Sequence, residues 1–169
     1  MDGVADGTVQ VEGAPTWEAL YRTDYPQLVR LAGLLVGDFG LGEEIAQEAF
    51  ARLLESRAAI TDPRSYLRGI VANLCRSRIR RAMAARRHAD RSEIRSEWDE
   101  SGPDGAVRVA ISGALRRLPR RQREAIVLRF YGGMTESEIA AAMGVSVGAV
   151  KTHLHRGQLA LSEALEGLQ

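Results

Sequence analysis

Residues 135–157 carry the spacing that a helix-turn-helix needs. The sequence TESE at 135–138 is a capping box, a pattern that begins a helix sharply. Ala140 is small enough for close helix packing, Gly144 can adopt a left-handed turn, and Val150 can anchor the second helix to the first. The spacing predicts a helix-turn-helix that contacts DNA, and an ordinary helical hairpin is the alternative that it leaves open.

The second helix of this motif has two different faces when its residues are placed about 100° apart. The apolar face predicts the packed side and consists of Val147, Val150, Leu154, Gly157 and Leu161. The other face carries donors that suit bases and phosphates in a major groove: Lys151, Thr152, His155 and Arg156. His153 and His155 point in different directions, so we expect no metal site here. The helix therefore predicts four DNA-contacting side chains.

A second candidate surface lies on the segment that follows Pro63. Its apolar residues predict the core face of a helix: Leu67, Ile70, Val71 and Leu74. The opposite face combines small residues with donors: Gly69, Ala72, Asn73, Arg76 and Arg80. An asparagine can hydrogen-bond a base edge and arginines can bind phosphates, which predicts nucleic-acid contact by Asn73, Arg76 and Arg80. A solvated arginine face is the alternative.

An acidic helix is predicted over residues 41–56. Its outer face presents Glu44, Gln47 and Glu48. A negative surface does not bind DNA, so in a chain with two basic segments it is a candidate protein-docking surface. Plain solvation is the alternative for this segment.

Helical periodicity positions all three surfaces. We predict an all-α protein of two small helical domains joined by a flexible linker, with the helix-turn-helix in the C-terminal domain. The predicted boundaries are a disordered tail at 1–15, a first domain at 16–88, a linker at 89–105 and a second domain at 106–169. Pro26 is predicted to kink or break the first helix.

Composition and charge distribution indicate a helical protein with two basic segments. The chain has 169 residues, 45% hydrophobic and only 5% aromatic, which favours helices over sheets. Residues 64–91 carry nine arginines against Asp90, and residues 115–131 carry six against Glu124. Five of these, which could hold a DNA backbone, precede the helix-turn-helix: Arg116, Arg117, Arg120, Arg121 and Arg123.

Features that the sequence lacks argue against a secreted protein, a membrane-spanning protein and several classes of enzyme. It has no secretory signal, no apolar run long enough for a membrane and one cysteine, Cys75, which predict a cytoplasmic protein. No phosphate-binding loop, dinucleotide fingerprint or zinc-protease motif occurs, so we predict no enzyme and no cofactor.

Three segments together resemble a bacterial RNA polymerase sigma factor of the extracytoplasmic-function type, closest to the group abundant in actinobacteria. The segments are EEIAQEAF at 43–50, PRSYLRGIVANLCRSRIRR at 63–81 and LRRLPRRQREAIVLRFYGGMTESEIAAAMGVSVGAVKTHLHRGQLAL at 115–161. The resemblance covers about residues 16–166. It implies an alternative sigma factor that binds core RNA polymerase and directs promoter-specific initiation of transcription.

The resemblance also implies residue roles. Glu44, Gln47 and Glu48 match positions that dock on the coiled coil of the polymerase clamp. Asn73 matches a position that holds an unstacked base of the melted −10 element, where Arg76 and Arg80 would hold the strand. Lys151, Thr152 and Arg156 match contacts of the helix-turn-helix with the duplex −35 element. An anti-sigma factor is a further partner that many relatives have, and the free chain is predicted to be a monomer that does not bind membranes.

Three rival functions remain from the residues alone. A dimeric helix-turn-helix repressor would leave the acidic helix and the Asn73 face unexplained. An enzyme acting on nucleic acid would need clustered carboxylates or a metal set beside a basic face, and neither pattern occurs. A regulator that binds only proteins is the third rival, and loss of DNA contact when Lys151 and Arg156 are replaced would argue against it.

Overall fold

The described part of the chain is helical from end to end. The computed structural model describes residues 16–56, 59–86 and 105–166, which contain helices and connecting turns and no strand. The helices are α1 Trp17–Val36, α2 Phe39–Glu55, α3 Pro63–Arg86, α4 Gly105–Arg117, α5 Arg120–Phe130, α6 Glu136–Met143 and α7 Val147–Glu166. No helix in these ranges is both long and apolar enough to cross a bilayer. The predicted all-α fold with two helical units is confirmed.

The N-terminal unit consists of α1, α2 and α3. The hydroxyl of Thr16 caps α1 by accepting from the backbone N–H of Ala19 at 3.3 Å, and Asp38 caps α2 by accepting from Leu41 at 2.9 Å. Helix α1 runs unbroken through Pro26, so the expected break does not occur. Pro26 and Arg22 are both exposed, where water can bond the carbonyl that the proline leaves without a partner.

Close packing of α1 on α2 depends on one glycine in each helix. An added Cβ at Gly42 would lie 2.8 Å from both the backbone nitrogen of Gly33 and the backbone oxygen of Val29. Backbone atoms within a helix cannot move aside as a flexible side chain can. Gly42 therefore sets how closely the two helices approach.

We expect Gly42→Ala to lower the free energy of unfolding by about 1–3 kcal/mol, the usual range for overpacking a core. Gly69→Ala on α3 is the matched control, because a Cβ there meets no atom within 4 Å. It should raise stability by about 0.5–1 kcal/mol through reduced backbone entropy in the unfolded chain. Urea denaturation followed by circular dichroism measures both. Equal stability of Gly42→Ala and the parent would contradict this packing.

The C-terminal unit consists of α4 to α7. All four helices contribute core side chains, among them Leu115 of α4, and the fully enclosed ones include Val127, Leu128, Ile139, Met143 and Val150. Gly157 of α7 lies against α5, where an added Cβ would be 2.8 Å from the Cγ1 of Ile126. This packing fixes the direction in which α7 presents its outer face.

The two units pack against each other. Helix α5 lies against α1, and α6 lies against α3. Buried side chains of both units form one contiguous apolar cluster. Each unit alone is small for an independent core, and this contact buries apolar surface of both.

The acidic helix predicted over residues 41–56 is α2, which begins two residues earlier, at Phe39, and ends one residue earlier, at Glu55. The predicted tail at 1–15 lies outside the described residues. The predicted linker at 89–105 also lies outside them except for its last residue, Gly105, which is the first residue of α4.

Candidate nucleic-acid interface

The turn between α6 and α7 has the geometry of a helix-turn-helix. The hydroxyl of Thr135 accepts from the backbone N–H of Glu138 at 3.3 Å, and the Glu138 carboxylate accepts from the backbone N–H of Thr135 at 2.7 Å. These reciprocal bonds complete the predicted capping box. Gly144 ends α6 at φ 64° and ψ 42°, the left-handed conformation that its position in the motif predicts.

Helix α7 presents the four predicted DNA-contacting side chains to solvent. Lys151, Thr152, His155 and Arg156 are all exposed, whereas Val150, Leu154 and Gly157 are buried on the opposite side. Ser146 caps the helix by accepting from the backbone N–H of Ala149 at 3.2 Å. The Lys151 ammonium lies 3.8 Å from the Glu136 carboxylate, an exposed pair that holds it only weakly. The face is therefore available to a ligand along its whole length.

Val147 is the exception to the predicted apolar face. It lies at the first turn of α7 and is 38% exposed. The helical angle places it on the packed side, but α6 ends at Met143 and its turn leaves the start of α7 uncovered. Periodicity gives the direction of a side chain and not the extent of the neighbouring helix.

The five arginines that precede the motif divide into two groups. Arg116 and Arg117 are exposed at the end of α4. The other three make contacts within the protein. Arg121 donates to the carbonyl of Met143 at 3.2 Å, and Arg120 to the sulfur of Met83 at 3.1 Å. Burial lowers the pKa of Arg123, with Arg120 beside it adding to the effect. Arg116 and Arg117 are thus the members available to a DNA backbone.

The candidate face of α3 is only partly open. Asn73 and Arg80 are exposed, as predicted. Ala72 was predicted to share this face, but it is buried at 4% exposure and lines a cleft with Leu35 of α1 and Leu128 of α5. The prediction for Ala72 is wrong because this part of α3 lies in the cleft between the two units and not on an open surface.

Arg76 lies at the junction of the two units. Its guanidinium nitrogen Nη1 is 3.2 Å from the point where a Cβ on Gly144 would stand, so it packs on the turn of the helix-turn-helix. Two other nitrogens, Nε and Nη2, are buried without a hydrogen-bond partner in the described structure. Burial lowers the pKa of Arg76, and the nearby Glu124 opposes that shift. Arg76 is therefore turned toward α6 and α7 rather than toward open solvent.

The candidate docking face on α2 is acidic, and arginines lie beside it. Glu44 and Gln47 are exposed and Glu48 is half-buried. Arg78 of α3 lies 3.4 Å from Glu48 and 3.7 Å from Glu44, and Arg52 lies 2.7 Å from Glu48. Glu48 thus shares its charge with two arginines, which leaves the Glu44 carboxylate, 66% exposed, as the more available one. Within residues 16–56, 59–86 and 105–166 no three side chains form a metal-binding cluster.

Comparison with known proteins decides the family. Sigma-70 region 2 matches residues 20–85, and sigma-70 region 4 matches residues 108–161. An RNA polymerase sigma-E factor of Streptomyces coelicolor is 33% identical over 152 residues, which cover 88% of this chain and 85% of that relative. An ECF RNA polymerase sigma factor SigE of Mycolicibacterium smegmatis is 30% identical over 170 residues, covering 96% of this chain and 66% of that relative. The chain belongs to the ECF sigma factors.

A solved structure supports the same fold for this sigma factor. The sigma factor RpoE of Bartonella quintana, crystallised with the anti-sigma factor NepR, aligns with a TM-score of 0.66. The alignment covers 89% of this chain and 96% of that chain at 20% identity. The likeness extends over both helical units.

Each predicted site of the sigma factor falls within one of the two matched regions. Region 2 contains the docking face of α2 and the Asn73 face of α3. Region 4 contains the part of α7 that carries the four exposed donors. The helix-turn-helix therefore lies in a different region from the other two faces.

Sequence reasoning missed one polar contact that joins the two units. The Ser65 hydroxyl of α3 donates to the Glu138 Oε1 of α6 at 2.6 Å, across 73 positions of sequence. No periodicity or motif in the sequence pairs these two residues. It also missed Arg78, which was part of a basic run and which the fold places beside α2.

The Ser65 contact holds the pKa of Glu138 below its ordinary value. Its hydroxyl is the largest cause, followed by the backbone N–H and the hydroxyl of Thr135. A lowered carboxyl pKa means that the contact stabilises the fold at neutral pH and that this stabilisation is lost as the pH falls through the folded-state pKa.

We expect Ser65→Ala to raise the pKa of Glu138 toward its ordinary value, because the strongest donor to the carboxylate is removed. Carbon-detected NMR titration of the Glu138 side chain measures it. Ser137→Ala, an exposed serine on the same helix, is the control and should leave the titration unchanged. An identical Glu138 titration in the Ser65→Ala variant would show that the hydrogen bond does not form in solution.

Proposed function

We propose that this chain is an alternative sigma factor that binds core RNA polymerase and directs promoter-specific initiation of transcription. It recognises the −35 element as duplex through α7 and the −10 element as melted strand through α3. The observation that carries the proposal is the exposed donor face of α7, supported from behind by a closed helix-turn-helix core. The N-terminal unit of the same chain presents a separate polar face, that of Asn73 on α3. A protein that binds DNA at one site only would not need this second face.

Duplex recognition by α7 follows from its geometry. A B-DNA major groove is about 12 Å wide and admits one α-helix. Gly148, near the start of α7, is exposed and leaves room for close approach to the base pairs. Lys151, Thr152, His155 and Arg156 can then donate to bases and phosphates, while Arg116 and Arg117 can contact the backbone.

Recognition of a melted strand falls to α3. The exposed Asn73 amide can hydrogen-bond the edge of an unstacked base, and the exposed Arg80 can bind the strand's phosphates. Unstacking a base costs a few kcal/mol, which capture of that base offsets. Arg76 is the third residue of this site, and it becomes available when the two units separate.

Docking on the polymerase falls to α2. Its exposed Glu44 and Gln47, with Glu48 between two arginines, form an acidic surface that suits a basic partner helix of the clamp coiled coil. Once docked, the two DNA-binding faces share one scaffold and reach a high effective concentration at the promoter. The free chain lacks that advantage.

The free chain should therefore bind promoter DNA weakly, with a dissociation constant in the micromolar range or above at physiological salt. Its affinity should fall steeply as salt is raised, since contacts of this kind release counterions. Fluorescence anisotropy with promoter duplexes, with and without core polymerase, measures this, and only the complex should bind tightly and specifically. Nanomolar, sequence-specific binding by the isolated chain at physiological salt would contradict the proposal.

An anti-sigma factor is the second proposed partner. The Bartonella relative was crystallised with one. A protein of that class bound to this chain would compete with core polymerase. We propose that the free sigma factor is a monomer in its absence, which sizing by light scattering tests against the homodimer that a repressor would form.

A further inference from the structure

Three arginines line one narrow cleft between the two helical units. Arg76 comes from α3, and Arg120 and Arg123 come from the first half of α5. The cleft has a volume of about 10 Å³, and most of its remaining wall is apolar, formed by Leu35, Ala72, Cys75, Ile79 and Leu128. Cationic groups beside such a wall normally have a partner that balances their charge.

The arginines of this cleft have more donor nitrogens than acceptors. Nε and Nη2 of Arg76 and Nε of Arg120 are buried, and none of the three has a hydrogen-bond partner among the described residues. The Nη1 of Arg120 donates to the sulfur of Met83 at 3.1 Å, and a thioether is a weak acceptor. Buried donors in folded proteins are nearly always bonded to protein, water or an ion. The three nitrogens therefore indicate a place for an acceptor.

The charge of the cleft is unbalanced in the same direction. Among the described residues, the one carboxylate that lines it is Glu124, whose Oε2 already accepts from a fourth arginine, Arg121, at 3.3 Å. Burial lowers the pKa of Arg76, and the neighbouring Arg121 and Arg120 add to that effect while Glu124 opposes it. Arginines do not lose their proton in proteins, so their repulsion remains. An acceptor that carries negative charge fits this cleft better than a neutral one.

The size of the cleft limits which anion it can hold. A volume of about 10 Å³ corresponds to one water-sized group. A phosphate or sulfate has four oxygens and is too large. A halide ion is a single atom only slightly larger than a water molecule. It can accept from several N–H groups at once, whereas a water molecule accepts two hydrogen bonds and brings no charge.

The start of α5 adds to the positive field. Helix α5 begins at Arg120, and its N-cap residue, Pro119, makes no side-chain hydrogen bond to the first turn. The positive end of the helix dipole therefore lies beside Arg120 and Arg123 without a capping oxygen. This contribution supports the arginines and would not form a site by itself.

We propose that this cleft binds a single halide ion, chloride under ordinary conditions, held by the free N–H groups of Arg76 and Arg120. The ion offsets the repulsion among the four arginines. Because it binds the folded chain and not the unfolded one, chloride stabilises the fold. This inference goes beyond the proposed function and does not depend on it.

The line width of the chloride NMR signal in a solution of the full chain tests the site directly. We expect the parent chain to broaden the signal, since bound chloride relaxes fast. Millimolar bromide should narrow it again by competition, and sulfate at equal ionic strength should not. Arg120→Gln should lose most of the broadening. Arg81→Gln is the matched control, because it removes the same charge from an exposed arginine of α3 and should keep the broadening.

Thermal unfolding followed by circular dichroism gives a second readout. Replacing glutamate with chloride at constant ionic strength should raise the unfolding temperature of the parent by about 3–5 °C, the shift expected when chloride exceeds its dissociation constant about tenfold. The rise should saturate, and it should be absent in Arg120→Gln and kept in Arg81→Gln. A change that never saturates and is equal in both variants would be a general salt effect and would overturn the site.

The parent chain decides the question even if Arg120→Gln folds poorly. Chloride broadening that is absent in the parent, or that bromide does not reverse, would overturn the proposal. So would equal broadening in folded Arg120→Gln and Arg81→Gln. Failure to support transcription with core polymerase would count against the proposed function and would leave these chloride measurements unchanged, so the two failures are distinguishable.

Discussion

Replacing both Lys151 and Arg156 with alanine should reduce promoter-specific transcription at least about 100-fold in a reaction with core polymerase. Each residue donates to a base or phosphate in the proposed complex, and loss of one such contact costs about 1–3 kcal/mol. Both side chains are exposed, so their removal leaves the core of the helix-turn-helix intact. Run-off transcription and anisotropy with a −35 duplex measure the effect.

Ser162→Ala provides the control for this prediction. Ser162 is exposed on α7 but lies six residues beyond Arg156, about 9 Å further along the helix axis, where it is outside the donor face. It should transcribe at the parent level. Full activity of the Lys151→Ala, Arg156→Ala chain on a promoter that needs its −35 element would exclude α7 as the recognition helix.

Reversing the charge at Glu44 should weaken binding to core polymerase about 30-fold or more. A lysine there would face a basic partner surface, and a like-charge contact in an interface costs several kcal/mol. Glu44 is the better test than Glu48, whose carboxylate bonds Arg52 and Arg78 within the protein. Removing Glu48 would therefore disturb α2 and α3 as well as the partner.

Glu43→Lys makes the same change of charge on the neighbouring residue and provides the matched control. Glu43 is exposed on α2 but lies about 100° away from Glu44 around the helix. We expect it to bind core polymerase nearly as the parent does, as measured by native gel shift or biolayer interferometry. Equal loss in both variants would mean that net charge, and not this face, governs binding.

The helix-turn-helix was predictable from sequence because its determinants are local. The capping box, the glycine turn and the apolar anchor all lie within 16 positions, from Thr135 to Val150, and each has one favoured conformation. The exposed donors of α7 followed from helical periodicity alone. The structure confirms the fold predicted for this segment, and the DNA contacts of its side chains stay a prediction.

The junction between the units was not predictable in this way. Ser65 and Glu138 are 73 positions apart, and nothing in their local sequence pairs them. Ala72 was expected on an open face because periodicity places it there, yet it lines the cleft between the two units. Arg76 is a similar case. Its residue type and helical position indicate a nucleic-acid contact, but in the fold it lies against the Gly144 turn of the other unit. Packing between residues far apart in the sequence determines the Ser65–Glu138 contact, the burial of Ala72 and the surroundings of Arg76.

The most direct test of the central claim is reconstituted transcription from a library of genomic fragments, with purified core polymerase and this chain, followed by mapping of the RNA 5′ ends. The account predicts start sites that depend on the chain and share two short upstream motifs at one fixed spacing. It also predicts that these starts disappear with the Lys151→Ala, Arg156→Ala chain. Transcription that the chain never alters on any fragment, or starts that share no upstream motif, would contradict it.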